Sequence, residues 1–405
     1  MRLWTDQEKL KILIEAVVSS KQSSFYRDKY QNSNFFETGA LEDLPFLTRA
    51  DLVATHPKDR CYVDETDIAF VAHTSGTTSG QPLISYFSEV ENYYIDVSWG
   101  TGVKRPLIVF PPLNKTFGST FIQQCRQSKT PCTPLFGSLD NLAVSAYLAN
   151  EVNSDALYAT PTLAMALAPY IRKHYDLGAI KLLVISGETI GAAKLASLKR
   201  LYSNALVANL YASSEIGQFI MGPTLPMMQD EISAFKPLED VLVALEIIDG
   251  ELVVTYCLNK AFPLIRYRTG DQFIYNEGLT EKYGDGLPVL EWAGKGGVDV
   301  VRVHGMEIRT GSVDDFFASL PQMVDEYQLH IYPAKSDIVR LELEVVGVSS
   351  EAASLIQESF IDKFQLGSGV VKDAIARDLV ENVAVNVVRE LSHQGTKRRV
   401  LVNHV

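Results

Sequence analysis

Short apolar runs separated by helical stretches organise the middle of the chain. Residues 106–110, 156–159, 181–185 and 205–210 read as strands bounded by turn-forming residues, and residues 191–202 repeat Ala, Leu and Tyr at helical spacing. This alternation predicts an α/β class in which a crossover helix covers a parallel sheet. Ligands of such sheets collect beyond the carboxyl ends of the strands, so the loops Ser186-Gly187-Glu188-Thr189 and Tyr211-Ala212-Ser213-Ser214-Glu215 are the first candidates for a site. From Val241 the pattern shortens: residues 245–254 alternate around Asp249-Gly250, a hairpin turn. The glycines of Ala293-Gly294-Lys295-Gly296-Gly297-Val298-Asp299 then predict a hinge. Beyond it, strands at 328–332, 340–346 and 383–388 with helices between them predict a compact, mobile C-terminal α+β unit. The expected division is therefore a large layered α/β domain over 1–295 and a small one over 296–405, hinged near Asp299. At the start, residues 1–18 predict an amphipathic helix with a capping box at Thr5 and Glu8.

Composition narrows the functional class. A chain of 405 residues that is 46% hydrophobic and 21% charged can bury cores for both units. With 37 Lys+Arg against 49 Asp+Glu, the net charge of -12 argues against nucleic acid or an anionic membrane as the main partner, so an anionic ligand has to be held locally. The opening residues lack the uninterrupted apolar core of a signal peptide, and no run reaches the length of a membrane span. The four cysteines, Cys61, Cys125, Cys132 and Cys257, form no dense disulfide pattern, which suits a reducing cytoplasm. Cys125 and Cys132 with His56 are a zinc alternative, but their spacing fits no strong ligand pattern, and buried free thiols are the preferred reading.

Two segments carry chemistry. After a strand over 67–72 comes His73-Thr74-Ser75-Gly76-Thr77-Thr78-Ser79-Gly80-Gln81-Pro82, whose glycines let backbone amides and hydroxyls converge on phosphate oxygens. It lacks the Gly-Lys-Ser/Thr ending of the common nucleoside-triphosphatase loop, and by itself it is equally a flexible linker. The second segment is Pro263-Leu264-Ile265-Arg266-Tyr267-Arg268-Thr269-Gly270-Asp271. Asp271 offers two carboxylate oxygens, a natural acceptor pair for ribose hydroxyls, against the plainer reading of a turn after a strand.

In this order the segments resemble the adenylate-forming superfamily, in which a carboxylic acid attacks the α-phosphate of ATP to give an acyl-adenylate and pyrophosphate. The resemblance spans nearly the whole chain. Within the superfamily the chain is similar to the phenylacetate-CoA ligase branch, through Phe25-Tyr26-Arg27-Asp28-Lys29-Tyr30 and Leu41-Glu42-Asp43-Leu44-Pro45-Phe46-Leu47-Thr48-Arg49-Ala50-Asp51-Leu52. It implies that Thr74, Ser75, Gly76, Thr77, Thr78, Ser79 and Gly80 close over the β- and γ-phosphates, and that Glu215 holds Mg²⁺. It further implies that Tyr211, Ala212, Ser213 and Ser214 line the adenine together with Gly187 and Glu188, with Asp271 on the ribose. Arg268 reaches phosphate or fixes its own loop, and Glu188 is alternatively a cap. Phe117, Gly118, Ala159 and Thr160 fall where the family lines its acyl pocket, although this chain lacks the family's run of glycines there.

Two positions depart from the pattern. The family's hinge reads Gly-Arg-x-Asp-Asp, whereas here Lys295 takes the place of arginine and Asp299 is the pivot, one residue later. The lysine that bridges carboxylate and α-phosphate directly follows a glycine in the family. Here Gly395 is followed by Thr396, and Lys397 comes one position on, so Lys397 is either the catalytic lysine or part of a basic tail.

The resemblance implies an ATP- and Mg²⁺-dependent acid–CoA ligase acting on an aromatic or other small carboxylic acid, with a homodimer as the expected assembly. An alternative keeps the adenylation step and transfers the acyl group to an amine, a hydroxyl or a carrier-protein thiol. Attachment to the chain's own small unit is disfavoured because no cysteine lies beyond Cys257. A further alternative is a nucleotide- or acid-binding protein without turnover.

Overall fold

The computed structural model describes residues 3–4, 7–73, 82–88, 98–110, 116–138, 141–188, 190, 192–238, 241–295, 300–303, 306–321, 324–334, 338–366, 369–389, 391–392 and 400–404. Its centre is a seven-stranded sheet in the order Lys236–Pro237, Phe219–Gly222, Leu206–Ala212, Leu182–Ser186, Ala156–Ala159, Pro106–Phe110, Thr133–Phe136. The last five strands in this order run parallel, and the first two close one edge in antiparallel fashion.

The near-continuous apolar runs have a direct cause. Leu107, Val109, Leu157, Ala159, Leu183, Ile185 and Val207 face the helices Leu142–Glu151, Pro161–His174 and Ala192–Leu201. Their alternates, Ile108, Phe110, Ala156, Tyr158, Leu182, Val184, Ala208 and Leu210, face the main core. A parallel sheet covered on both sides has no polar face to show in its sequence.

An antiparallel five-stranded sheet adjoins it, in the order Leu3–Trp4, Ala244–Ile248, Glu251–Tyr256, Leu264–Tyr275, Leu290–Lys295. The expected hairpin at Asp249-Gly250 is present, with both residues at positive φ (53° and 81°). The two sheets are tied by reciprocal 2.8 Å backbone hydrogen bonds between Phe235 and Leu290. The beginning of the chain differs from the expected helix over 1–18. Leu3–Trp4 is a strand edging this sheet and the helix spans Gln7–Ser20, because pairing with Glu246 and Leu245 satisfies the first backbone groups. Thr5 lies outside the described residues.

From Val301 onward the apolar side chains form a separate cluster around a sheet ordered Val380–Val387, Val339–Val346, Glu326–Pro333, Leu401–Asn403. In Val339–Val346 the alternate residues Val339, Leu341, Leu343 and Val345 are fully buried, and the helix Ser350–Lys363 adds Ile356 and Phe360 to the same core. The strand Leu401–Asn403 has no counterpart in the sequence reading. It pairs in parallel with Leu329–Ile331 and follows the basic run containing Lys397. Helix Thr310–Ser319 packs against Ala192–Leu201, and nearby the Ser197 hydroxyl donates to the Val324 carbonyl at 3.3 Å.

Candidate active site

The chain's opening segments are laid along the strand Leu264–Tyr275, which carries Asp271. The hydroxyl of Tyr26 donates to the carbonyl of Pro263, and that of Tyr30 to the carbonyl of Ile265 at 3.3 Å. At Arg266 the strand bulges, with φ +47° in a non-glycine residue. Arg266, 4% exposed as a residue, forms a two-point ion pair with buried Glu246 (3.0 and 2.8 Å). Its Nη1 donates to the carbonyls of Glu42 (2.7 Å) and Leu44 (2.6 Å), and the guanidinium lies 4.3 Å from the Phe46 ring. Leu47 then bridges to Tyr267 through the bonds Leu47 N to Arg266 O (3.0 Å) and Arg268 N to Leu47 O (2.9 Å).

This path delivers Thr48 and Arg49 to the site. Thr48 and Asp51 form a reciprocal capping box that starts the helix Arg49–Ala54. Arg49 Nη1 meets Glu215 Oε1 at 2.8 Å. Glu215 stands in the turn after the strand Leu206–Ala212, where the Ser213 hydroxyl accepts from Ile216 N (3.2 Å) and Gly217 N donates to Ser213 O (2.9 Å). Gly217 is needed for two reasons: its φ is +70°, and a Cβ there would fall 2.2 Å from the ring of Phe87. Phe87 belongs to Ile84–Ser88, which pairs with Ile68–His73. The hairpin flanking the 74–80 segment therefore rests on the Glu215 turn.

Tyr211 joins the two sheets at the site. Its hydroxyl donates to Asp271 Oδ2 at 2.7 Å, and its ring stands edge-on to Phe273 at 5.2 Å. Burial, and then the Asp271 carboxylate, push the Tyr211 phenol well above its usual 10. Burial and then Glu215 do the same for Tyr267, with Arg49 opposing them. Glu215, Asp271, Tyr211, Tyr267 and Arg49 thus form one cluster at the carboxyl end of a central strand.

The other expected residues fall as follows. Arg268 is paired with Glu251 (Nε to Oε2, 2.7 Å), and the second Glu251 oxygen accepts from Gly270 N at 2.8 Å. Lys295 stands opposite Asp271 in the ladder with Leu290–Lys295. Gly187 has φ +84° at the end of Leu182–Ser186. Glu188 Oε2 accepts from Thr162 N (3.2 Å) and Thr162 Oγ1 (2.6 Å), so its carboxylate caps the helix Pro161–His174 across two loops. Thr160 is that helix's N-cap, its hydroxyl accepting from Leu163 N at 3.3 Å. Ala159 differs from the expected pocket position: it is fully buried among Leu107, Val109 and Leu163 because the strand alternation turns it toward the helices. Phe117 and Gly118 lie on Thr116–Gln127. Thr74 to Gly80, Asp299, Thr396 and Lys397 lie outside the described residues.

The cysteines are free thiols; burial, and then Cys132, push the Cys125 thiol up to about 12. His56 Nδ1 accepts from Lys58 N at 3.2 Å, capping a short helix, and no group of three or more metal-ligating side chains occurs among the described residues. Sequence reasoning missed Arg49, Tyr267, Glu251 and the Arg266–Glu246 pair as site-forming residues. An arginine between Ile265 and Tyr267, in the apolar start of this strand, was a signal that a buried acid would be found for it.

No protein-family model and no curated protein matches the chain. Solved structures do. A 2-hydroxyisobutyryl-CoA ligase in the postadenylation state with 2-HIB-AMP superposes with TM-score 0.77 at 19% identity, over 98% of this chain and 89% of that one. The same ligase with 2-HIB-AMP and CoA in the thioesterification state gives 0.63 at 20% identity, over 98% and 89%. The anthranilate CoA ligase AuaEII with anthranoyl-AMP gives 0.59 at 17% identity, over 84% and 67%. The amide bond synthetase McbA of Marinactinospora thermotolerans gives 0.54 at 19% identity, over 82% and 67%. No helix among the described residues is long and apolar enough to cross a membrane. The fold of this chain is that of these solved ligase structures.

Proposed function

We propose that the chain activates a small carboxylic acid with ATP as an acyl-adenylate and passes the acyl group to coenzyme A. The observation that carries this reading is the placement of two anchored carboxylates around one strand end of this fold: Glu215, paired with Arg49, and Asp271, bonded by the Tyr211 hydroxyl from the same strand as the Glu215 turn. In this reading Asp271 accepts the ribose hydroxyls, its orientation set by the Tyr211 hydroxyl. The Tyr211 ring and the Ala212 to Ser214 backbone flank the adenine, and the 74–80 segment donates to the β- and γ-phosphates.

Mg²⁺ fits Glu215. One of its oxygens is engaged by Arg49 and the other has no partner among the described residues, which suits an ion that takes a single carboxylate along with waters and phosphate oxygens. There Mg²⁺ would offset phosphate charge. Arg49, at 2.8 Å from Glu215, holds that carboxylate in place when no ion is bound.

The acid's carboxylate oxygen attacks the α-phosphorus as the bond to pyrophosphate breaks, and Lys397 is the residue we assign to charge on the α-phosphate. The division into 1–295 and 296–405, turning near Asp299, is part of the same proposal. Its support is the higher superposition on the postadenylation state (0.77) than on the thioesterification state (0.63) of one ligase. In the second step the CoA sulfur attacks the acyl carbon and AMP leaves.

The test is product analysis with ATP, Mg²⁺, CoA and a panel of aliphatic, hydroxy, aryl and arylacetic acids. Acyl-CoA and AMP in equal amounts with one acid class support the reading. Pyrophosphate release that yields no thioester moves the acceptor to an amine, hydroxyl or carrier thiol, and no acid-dependent AMP at all refutes it.

A further inference from the structure

The strand Ile84–Ser88 follows the 74–80 segment, and among the described residues its strand partner is Ile68–His73 alone. A strand with one neighbour leaves alternate amides and carbonyls pointing away from it. Here two buried side chains take the place of a second neighbour. Arg60, 1% exposed, donates Nη2 to the Ile84 carbonyl at 3.0 Å. Asn259, also 1% exposed, donates Nδ2 to the Tyr86 carbonyl at 2.8 Å, and its Oδ1 accepts from Ser88 N and Ser88 Oγ, both at 3.2 Å. Ile84, Tyr86 and Ser88 alternate, so they present one edge of the strand, and the Asn259 carboxamide bonds to it as a peptide group of an adjacent strand would.

One turn holds both side chains. Phe262 N donates to the Asn259 carbonyl at 3.0 Å, and the Phe262 ring lies 4.8 Å from the Arg60 guanidinium. This turn joins Glu251–Tyr256 to Leu264–Tyr275, the strand carrying Asp271. Arg60 is costly in purely structural respects, because its Nε and Nη1 find no acceptor among the described residues. A buried cation whose one hydrogen bond among the described residues goes to the Ile84 carbonyl points to a positional demand on that bond.

We infer that Arg60 and Asn259 are positioning residues for adenylation: they set the hairpin that flanks the 74–80 segment against the strand carrying Asp271, and so set phosphate contacts against ribose contacts. The inference rests on the proposed function. It specifies that the two residues matter for the step that handles the β- and γ-phosphates and not for the step from acyl-adenylate to thioester, in which those phosphates are gone.

The experiment measures both half-reactions for wild type, Asn259→Ala, Asn259→Asp, Arg60→Ala and Arg60→Lys. The first is ATP–pyrophosphate exchange, and the second is thioester formation from synthetic acyl-adenylate and CoA. Asn259→Asp keeps the acceptor to Ser88 and loses the donor to Tyr86, and it carries the test if the alanine variant does not fold. The expected result is a rise of about tenfold in KM for ATP and pyrophosphate, with KM for the acid and the thioester half-reaction within about twofold of wild type. Arg60→Lys, which keeps one donor for Ile84, recovers most of what Arg60→Ala loses. An unchanged KM for ATP in folded Asn259 variants overturns the inference, as does an equal fall in both half-reactions. A wild type silent in both would overturn the proposed function itself, and the inference with it.

Discussion

Glu246→Gln gives the most quantitative test of how the site is assembled. The substitution preserves shape but leaves Arg266 without its counter-charge at 5% side-chain exposure. Removing one partner of a buried ion pair costs about 3–5 kcal/mol. The low end is expected here, because the Glu42 and Leu44 carbonyls and the Phe46 ring still engage the guanidinium. Replacing both partners, Glu246→Leu with Arg266→Met, removes the uncompensated charge and leaves the two carbonyls without their donor. At about 1–3 kcal/mol for each of the two orphaned buried acceptors, the double variant should lose about 2–6 kcal/mol, a loss comparable to that of Glu246→Gln. Thermal melts and urea titrations of the full chain read these differences. The double variant also removes the ties from Arg266 to the Glu42 and Leu44 carbonyls while the Leu47 backbone bonds remain, so Arg49 is held less firmly beside Glu215 and adenylation should fall. A Glu246→Gln variant within about 1 kcal/mol of wild type would refute the claim that the pair is a buried clamp.

Other perturbations reach separate parts of the account. Gly217→Ala places a Cβ 2.2 Å from Phe87 at a φ of +70°, so a loss of about 1–3 kcal/mol is expected in melts, part of it recovered by Phe87→Leu. Tyr211→Phe removes the 2.7 Å bond to Asp271 and should raise KM for ATP about tenfold with little change in Tm, as steady-state kinetics beside melts would check. Acid should weaken the C-terminal sheet. Burial above all, aided by His404 at 3.0 Å and opposed by Glu344 and Glu342, lowers His330 below its usual 6.5. Burial alone would raise Glu344, but the Ser392 amide and hydroxyl, with His330, hold it below 4.5. Both groups therefore bind protons less readily folded than unfolded, so their stabilisation is present above 6.5 and is lost as pH falls through the folded values. His330→Gln should flatten the upper part of that loss in Tm measured against pH.

Much of the fold was legible because its central strands are covered on both faces, which turns them into unbroken apolar runs such as 182–185. The hairpin at Asp249-Gly250 was legible because only such residues enter its turn cheaply. Leu3–Trp4 and Leu401–Asn403 were not, since strands this short have no periodicity and exist only through pairing with Leu245–Glu246 and Leu329–Ile331. The same limit applies to the site. Glu215 and Asp271 stood in recognisable segments, whereas Arg49 acts across 166 residues and Asn259 across 173, and no local pattern encodes contacts of that range. Glu188 shows the converse, since a segment read as ligand-facing spends its carboxylate on the helix end at Thr162.

The central claim, that the Glu215–Asp271 cluster drives carboxylate adenylation, is tested most directly by acid-dependent ATP–pyrophosphate exchange in wild type and Asp271→Asn. The account predicts exchange with one class of small acids in the wild type, and a loss of at least about a hundredfold in kcat/KM for ATP in the variant, which keeps the shape of the side chain but not its charge. Exchange that survives unchanged in Asp271→Asn, or a folded wild type that exchanges with no acid across the panel, would contradict it.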